Sequence, residues 1–322
     1  MPSVAPEPIV IVAGPTASGK SALALAVAEA LGGTIINADS MQVYRDLAVL
    51  TARAGAAELA RVPHRLYGVI DAAEACSAGR WRALALGEIA AAREAGRVPV
   101  LSGGTGLYLR ALLDGLAPVP PVPAALREEA RSLHARLGGE AFRRALAARD
   151  PEAGQRLASG DTQRLIRAYE VVAATGRPLA EWRRGQGPAA GPSAAAAVVL
   201  LPPRAMLYAA CDARFLAMME RGALAEVEAL LARGLDPALP AMKAVGVPEL
   251  ASLLAGRSSR QAAIAAAQQA TRRYAKRQYT WFRHQIAETG SLRKLVVIEQ
   301  FSESLLARIL PFIRQSLLTI KT

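Results

Sequence analysis

The chain of 322 residues is 52% apolar but only 5% aromatic, and it carries a formal charge of +12 at pH 7. Its apolar content excludes global disorder, and its two cysteines are too few for a disulfide framework or a four-ligand zinc site. Because it shows neither a signal peptide nor a run of about 18 apolar residues, we expect a cytoplasmic protein. Its length predicts one large domain or two smaller ones.

Short apolar runs alternate with helical patterns in the first third of the chain. They predict strands at 8–13, 34–39, 64–70 and 98–104, and helices at 20–31 and about 80–95. Alternation of this kind is typical of an α/β fold with a mainly parallel sheet.

A proline-rich stretch at 118–123 ends this alternation. Only helices are predicted after it, at 124–137, 140–148, 161–175 and 178–183, followed by a loop at 185–193. The remaining chain predicts a strand at 195–201, helices at 204–233 (broken near Arg221) and 258–288, a strand at 295–298 and a last helix. We therefore predict an α/β core, formed by 1–117 and 195–322, with a helical insertion domain at 118–194.

The segment GPTASGKS, from Gly14 to Ser21, fits the phosphate-loop pattern G-x-x-x-x-G-K-[ST] between a predicted strand and a predicted helix. Backbone N–H groups at the helix N-terminus would bind an anion, Lys20 would bridge phosphate oxygens, and the Ser21 hydroxyl would lie at Mg²⁺. The loop alone does not distinguish a nucleoside triphosphate, a kinase donor or a diphosphate leaving group. A glycine-rich turn without any ligand is the plain alternative.

Two further positions lie where predicted strands end, on the edge at which parallel sheets bind ligands. Asp39 could ligate Mg²⁺, hold a ribose or act as a general base, and it could equally form an Asx turn or cap a helix. Thr105, within GGTGLY at 103–108, offers a hydroxyl where glycines permit close backbone approach. A plain turn would have the same composition.

The net charge is unevenly distributed. Residues 1–117 contain 10 basic and 10 acidic side chains, whereas 256–294 contain nine basic residues and one acidic residue. On a helix through this segment the basic residues form one face, and Ala275, Tyr279, Phe282 and Ile286 form the opposite one. Such a helix suits contact with a phosphate backbone, and a solvated arginine-rich surface is the alternative.

The order and spacing of the motifs resemble those of one enzyme family. After GPTASGKS come NADSMQVYR, HRLYGVID, GGTGLY, DTQRLIRAYEV (161–171), DARF (212–215), KAVGVPEL (243–250) and TRRYAKRQYTWFR (271–283). Nearly the whole chain thus resembles the tRNA dimethylallyltransferase (tRNA isopentenyltransferase) family, bacterial type. The zinc-finger extension of eukaryotic members is not expected from two cysteines.

The resemblance implies transfer of a dimethylallyl group from dimethylallyl diphosphate to N6 of adenosine 37, beside the anticodon of tRNA, with release of diphosphate. It implies Mg²⁺ as the cofactor and a phosphate loop that binds diphosphate instead of ATP. We expect a monomer whose insertion clamps the anticodon stem-loop, without a membrane partner.

The site residues are carried over from the family's motifs. The resemblance implies that Asp39 accepts or orients the N6 proton, that Thr105 lies between donor and acceptor, and that Arg214 contacts diphosphate. The implied diphosphate-binding residues are Gly14, Thr16, Ala17, Ser18, Gly19, Lys20 and Ser21, of which Ser21 also contacts the metal. The implied tRNA-binding residues are Asp39, Ser40, Met41, Gln42, Arg127, Gln163, Arg164, Leu165, Ile166, Arg167, Lys243, Gly246, Arg272, Lys276, Arg277 and Arg283.

Two departures from the family pattern stand out. Ser21 replaces a common threonine, which conserves the hydroxyl. After Gly246 the family has an aromatic and then a basic residue, where this chain has Val247 and Pro248.

Two other functions are compatible with parts of the sequence. One is an ATP-dependent small-molecule kinase with Asp39 as the base, and the other is a non-catalytic RNA-binding nucleotide switch. The basic segment argues against the kinase, and the acceptor motifs NADSMQVYR and GGTGLY argue against the switch.

Overall fold

The computed structural model describes residues 8–184, 195–289, 292–300 and 302–319. Six strands lie within these ranges: β1 (Ile9–Ala13), β2 (Gly33–Asn37), β3 (His64–Arg65), β4 (Val98–Gly103), β5 (Ala195–Leu200) and β6 (Leu292–Ile298). They form one sheet in the order β3-β2-β4-β1-β5-β6, and every pairing is parallel. The predicted α/β fold class with a mainly parallel sheet is confirmed.

Helices account for most of the remaining described chain. They are α1 (Lys20–Leu31), α2 (Ala56–Leu59), α3 (Ala78–Glu94), α4 (Gly106–Asp114), α5 (Ala124–Ala147), α6 (Pro151–Arg156), α7 (Thr162–Thr175), α8 (Leu179–Arg184), α9 (Arg204–Glu220), α10 (Ala223–Ala232), α11 (Val247–Leu254), α12 (Arg260–Gln285) and α13 (Glu303–Thr319). Two 3₁₀ turns lie at Ala241–Lys243 and Ile286–Glu288. In the described ranges, no helix is long and apolar enough to cross a bilayer.

The central strand β1 is buried on both faces of the sheet. Ile9, Ile11 and Ala13 belong to one hydrophobic cluster, whereas Val10 and Val12 belong to another. Successive side chains of a strand point to opposite faces, so two covered faces require a continuous apolar run instead of an alternating one. The continuous apolar sequence of β1 follows from these two covered faces. The strand ends at Ala13, and the phosphate-loop segment begins at the next residue, Gly14.

The strand predicted at 64–70 is wrong beyond its first two residues. Only His64 and Arg65 pair with β2, and the chain then turns at Leu66 and Gly68, both of which have φ of 64°. The turn is held by the buried Asn37, whose side-chain amide donates to the Leu66 carbonyl at 3.1 Å. The sheet therefore ends early at this edge.

Four helices were not predicted: α2, α4, α6 and α11. The last two begin in a similar way. Helix α6 begins at Pro151, directly after Asp150, whose side chain caps the helix by accepting the Ala153 N–H at 2.9 Å. Helix α11 begins at Val247 after Gly246, and Pro248 lies in its first turn, where a missing N–H costs nothing. Both are short, and a proline at each start obscures the helical pattern.

The chain divides into two compact units, one formed by Met1–Asp114 with Ala190–Thr322 and one by Gly115–Ala189. The first unit contains the sheet. The second unit is helical, with a core that includes Phe142, Leu146 and Leu165. Helix α5 is interrupted at Gly138, between the helices predicted at 124–137 and 140–148. The insertion was predicted at 118–194, and its loop at 185–193 lies outside the described residues.

Candidate active site

The phosphate-loop segment wraps from the end of β1 into the start of α1. Ala17 (φ 62°) and Gly19 (φ 85°) are left-handed, and Gly19 occupies the position just before α1. Left-handed residues beside right-handed ones turn successive N–H groups toward one concavity, which is the geometry of an anion site. Within the described chain, the buried Ser18 hydroxyl has no hydrogen-bond partner, so it is available to a ligand oxygen.

Two cationic side chains lie at this loop. The Lys20 ammonium donates to the Pro15 carbonyl at 3.3 Å, and the Arg214 guanidinium, from α9, donates to the Thr16 hydroxyl. Burial lowers the pKa of Lys20 to about 8, against the opposing effect of the Asp39 carboxylate, and Arg214 lowers it further. Burial also lowers the pKa of Arg214. Two positive groups this close, and this poorly solvated, favour a multiply charged anion between them.

Asp39 is fixed by hydrogen bonds at the end of β2. Its N–H donates to Asn37 Oδ1 at 2.9 Å, its carbonyl accepts from Asn37 Nδ2 at 3.0 Å, and its Oδ1 accepts the Met41 N–H at 2.9 Å. The Asx turn that the sequence allowed is therefore present, and it holds the carboxylate in place. Asn37, which is fully buried and begins the motif NADSMQVYR, was not predicted to hold the carboxylate.

Thr105 lies beside Asp39 because β2 and β4 are neighbours. Its hydroxyl accepts the Ser40 N–H at 2.9 Å and donates to Ser40 Oγ at 3.2 Å. Tyr274 of α12 lines the same apolar cavity as Ser40, and burial raises the pKa of its phenol, which therefore stays protonated. Tyr274 lies within the motif TRRYAKRQYTWFR but was not predicted as a site residue, since helical aromatic residues usually pack in the core.

Two cavities meet at these residues. One, of about 360 Å³, is lined by the phosphate-loop residues Thr16 to Ser21. The other, of about 200 Å³, has apolar walls that include Leu50, Phe215 and Met218. Both cavities are lined by Thr16, Asp39, Thr51 and Arg214. An anion site and an apolar chamber are thus adjacent, with a carboxylate at their junction.

The residues after Asp39 lie at these cavities. Ser40 and Met41 line the apolar one, and Gln42 lines the phosphate-loop one. The Gln42 amide donates to the Thr51 carbonyl at 2.8 Å, which fixes the loop that carries Thr51. The neighbouring Leu50 N–H donates to Glu226 at 2.9 Å, and Ala48 and Val49 donate to the same carboxylate at 2.7 Å.

Helix α12 has the two faces that the sequence predicts. Ala275, Phe282 and Ile286, which follows the helix, are buried, and Tyr279 is partly buried. Lys276, Arg277 and Arg283 are exposed. Arg272 differs, because its guanidinium forms an ion pair with Asp212 at 2.5 Å. The buried face also carries Gln278, which no sequence pattern distinguished.

One predicted tRNA contact near α11 requires refinement. Lys243 is exposed and lines the apolar cavity, but Gly246 is buried and its N–H donates to Glu249 at 2.9 Å. The Gly246 N–H is therefore already engaged in a hydrogen bond within the protein. Val247, at the position of the family's aromatic residue, is fully buried in α11 and packs in the core.

The predicted tRNA-binding residues of the second unit lie on α5 and α7. Arg127, Gln163 and Arg164 are exposed, Ile166 and Arg167 are partly buried, and Arg167 lies 3.4 Å from Glu170. Leu165 is fully buried in the core of this unit, so a tRNA contact through its side chain is wrong. Asp161 directly precedes α7, and its carboxylate pairs with Arg164 at 3.3 Å instead of capping the helix.

The residues present fit a magnesium ion bound together with a diphosphate. Ser21 is exposed at the start of α1 and shares its cavity with Asp39, so a hydroxyl and a carboxylate oxygen are available. Mg²⁺ prefers oxygen ligands and usually takes several from substrate phosphates and water. The described residues contain no group of three or more His, Cys, Asp or Glu side chains suited to a metal. A magnesium site here depends on the substrate for most of its ligands.

Comparison with known proteins gives one consistent result. A model of the IPP transferase family matches residues 42–285. The tRNA dimethylallyltransferase of Rhodospirillum centenum is 61% identical over 285 residues, which are 88% of this chain and 90% of that protein. That of Rhodospirillum rubrum is 55% identical over 315 residues, covering 97% of this chain and 96% of the relative.

Solved structures agree. The tRNA isopentenylpyrophosphate transferase of Bacillus halodurans is 30% identical, covers 98% of both chains and has a TM-score of 0.69. A eukaryotic dimethylallyltransferase solved acting on tRNA has a TM-score of 0.76, covering 90% of this chain and 74% of its own, and at 24% identity it supports the fold alone. The resemblance inferred from the motifs is confirmed, and the kinase alternative finds no support among these relatives.

Proposed function

Because this chain belongs to the IPP transferase family, we propose that it transfers a dimethylallyl group from dimethylallyl diphosphate to N6 of an adenosine in tRNA, with release of diphosphate. We take the acceptor to be adenosine 37, beside the anticodon, as the motif resemblance implies. The enzyme acts as a monomer in this proposal, since both cations, the carboxylate and both cavities belong to one chain. We propose a cytoplasmic enzyme because its substrate, tRNA, is found there.

The observation that carries the proposal is the junction of the two cavities. The phosphate-loop cavity would hold the diphosphate, and the apolar cavity beside it would hold the five-carbon group and the edge of the adenine. Asp39 and Arg214 line both cavities, so a base and a cation lie at the junction where the bond would change.

The transfer step needs one bond to form and one to break. The adenine N6 lone pair attacks C1 of the dimethylallyl group while the C1–O bond breaks, and that electron pair leaves on the diphosphate. The N6 proton passes to Asp39. Because Asp39 Oδ1 accepts the Met41 N–H, Oδ2 is the oxygen that receives the proton.

Negative charge grows on the diphosphate during this step. Lys20, Arg214 and the loop N–H groups would stabilise it, and their orientation is fixed before the substrate binds. Mg²⁺, held by Ser21 and the diphosphate oxygens, would supply additional charge neutralisation. The buried hydroxyl of Ser18 would donate to one of the same oxygens.

The acceptor base must leave its stack to reach Asp39, as in other enzymes that modify a base. The exposed cations Arg273, Lys276, Arg277 and Arg283 of α12 would bind the phosphates of the anticodon stem-loop while the base enters. Tyr274, on the same helix, lines the apolar cavity that the base would enter.

Incubation of the purified protein with Mg²⁺, radiolabelled dimethylallyl diphosphate and tRNA lacking the modification tests the proposal. We expect label in tRNA, and after nuclease digestion in a single prenylated adenosine. A parallel reaction with labelled ATP and no tRNA should show no phosphoryl transfer. ATP consumption without any prenyl label in tRNA would overturn the proposal in favour of the kinase.

A further inference from the structure

Gln278 is a buried side chain that contacts both loops of the active site. Its Oε1 accepts the N–H of Thr16 in the phosphate loop at 2.8 Å. Its Nε2 donates to the carbonyl of Gly104, one residue before Thr105, at 2.9 Å. The side chain is only 6% exposed, so both hydrogen bonds are shielded from water.

Both ends of this contact specify an amide. A backbone N–H can only donate and a carbonyl can only accept, so the side chain between them must present one acceptor and one donor. A carboxylate lacks the donor, a methionine lacks both, and asparagine is shorter by one methylene group. Loss of Gln278 would therefore leave a buried N–H and a buried carbonyl without partners, which is costly.

The acceptor turn is shaped to fit this helix. A Cβ on Gly104 would lie 2.3 Å from Gln278 Nε2, and a Cβ on Gly106 would lie 2.2 Å from the Trp281 ring. Real Cβ atoms do not approach this closely, so a larger residue at either position would have to displace the Gln278 amide or the Trp281 ring. The glycines of GGTGLY thus have a packing role toward α12, and Gln278 is its polar contact.

On the basis of the proposed function, we propose that Gln278 is a positioning residue that holds the phosphate loop and the acceptor turn in register. It fixes Thr16, whose hydroxyl accepts from Arg214, and Gly104, whose neighbour Thr105 is hydrogen-bonded to the loop of Asp39. The helix that presents cations to RNA is thereby joined to the diphosphate site by one side chain. Gln278 itself touches neither substrate in this proposal.

The variant Gln278→Met, which keeps the length and volume of the side chain, tests this role. We expect the KM for dimethylallyl diphosphate and the Kd for inorganic diphosphate with Mg²⁺ to rise about tenfold, because Thr16 loses its support. We expect kcat to fall at least tenfold, because donor and acceptor loops lose their register. The Kd for tRNA should stay within twofold, since the exposed face of α12 is unchanged.

Gln268→Met is the matched control. Gln268 lies on the same helix and donates to the Asp212 carbonyl of α9 at 3.2 Å. The control variant therefore loses a side-chain hydrogen bond of α12 that contacts neither active-site loop. Both variants should lower the melting temperature, and only Gln278→Met should change the KM, the diphosphate Kd and kcat. A Gln278→Met enzyme that matches Gln268→Met in all three would overturn the proposal.

A second variant reaches the same contact from the opposite side. Gly104→Ala should displace the Gln278 amide and weaken diphosphate binding, and combining it with Gln278→Met should add little, because both remove one interaction. Fully additive effects would contradict the proposal. Where Gln278→Met does not fold, Gly104→Ala decides alone, and unchanged diphosphate binding in that variant would contradict the proposal. Binding of inorganic diphosphate requires no transfer, so a wild-type protein that binds diphosphate but does not prenylate tRNA would refute the proposed function alone.

Discussion

The Arg272 guanidinium lies 2.5 Å from the Asp212 carboxylate, so one cation of α12 is paired with a carboxylate of α9. Both side chains are about one-third exposed. The pair neutralises a charge that the motif comparison assigned to tRNA. The basic face of α12 therefore contains one ion-paired cation, Arg272, and exposed cations such as Lys276 and Arg283 that could bind phosphate.

Salt dependence of tRNA binding distinguishes these two kinds of cation. Lys276→Ala should weaken binding and reduce the slope of log K against log salt by about one, because one phosphate contact and its released counterion are lost. Arg272→Ala should leave the slope unchanged, since Asp212 already neutralises that charge. Filter binding between 50 and 300 mM salt measures both. Equal slope losses in the two variants would show that the ion pair opens when RNA binds.

Asp39→Asn should separate catalysis from binding. Asparagine keeps the acceptor for the Met41 N–H but cannot take the N6 proton, so we expect the single-turnover rate to fall by about 10²–10⁴. The Kd for tRNA should change less than twofold. A large loss of tRNA affinity with an unchanged rate at saturation would instead make Asp39 a binding residue.

Arg214 should act mainly on the leaving group. Arg214→Met removes a poorly solvated cation from the phosphate loop, and we expect kcat/KM for dimethylallyl diphosphate to fall by about 10²–10³. Arg214→Lys keeps the charge but loses the planar group that reaches Thr16, so its kcat/KM should lie between those of the parent enzyme and Arg214→Met. Steady-state kinetics at saturating tRNA give the comparison, and identical losses for Met and Lys would show that geometry matters more than charge.

Lys20 should make the unliganded protein less stable at neutral pH. Its pKa of about 8 in the folded chain lies below the ordinary 10.5, so the unfolded chain binds the proton more tightly. The free energy of unfolding therefore rises as pH increases from about 8 to 10.5, and below pH 8 the full cost, about 3 kcal/mol, is present. Lys20→Met should be more stable than the parent at pH 7 by about 1–3 kcal/mol, and the gap should close above pH 10.

Urea unfolding at pH 7 and pH 10.5 measures this difference. Lys243→Met, at an exposed site, is the matched control and should show no comparable gain. Inorganic diphosphate should stabilise the parent but not Lys20→Met. A parent and variant of equal stability at pH 7 would mean that Lys20 is better solvated than its position indicates.

The sequence predicted the fold where local pattern and burial coincide. The run at 8–13 and the glycine-rich turn after it are determined by the chain's own residues, and β1 and α1 form as expected. The strand at 64–70 was wrong because Asn37, almost 30 positions earlier, holds the Leu66 carbonyl and turns the chain. No local pattern contains that hydrogen bond.

The candidate site divides in the same way. Asp39, Thr105 and the loop residues lie together because each follows a strand of one parallel sheet, a placement that the strand pattern predicted. Asn37, Tyr274, Gln278 and Glu226 were missed, since each acts through a partner that is distant in sequence. Leu165 was included because the motif was carried over whole, whereas helical periodicity turns only some of its residues outward.

The position of β1 between β4 and β5 has a consequence for synthesis of the chain. Strand β1 pairs with β5, which begins at Ala195, so the centre of the sheet stays incomplete until β5 has been synthesised. Arg214 and Gln278 appear later still. A chain that ended before these residues would contain the intact GPTASGKS motif but neither the guanidinium nor the amide that contacts Thr16, so the motif by itself does not complete the anion site.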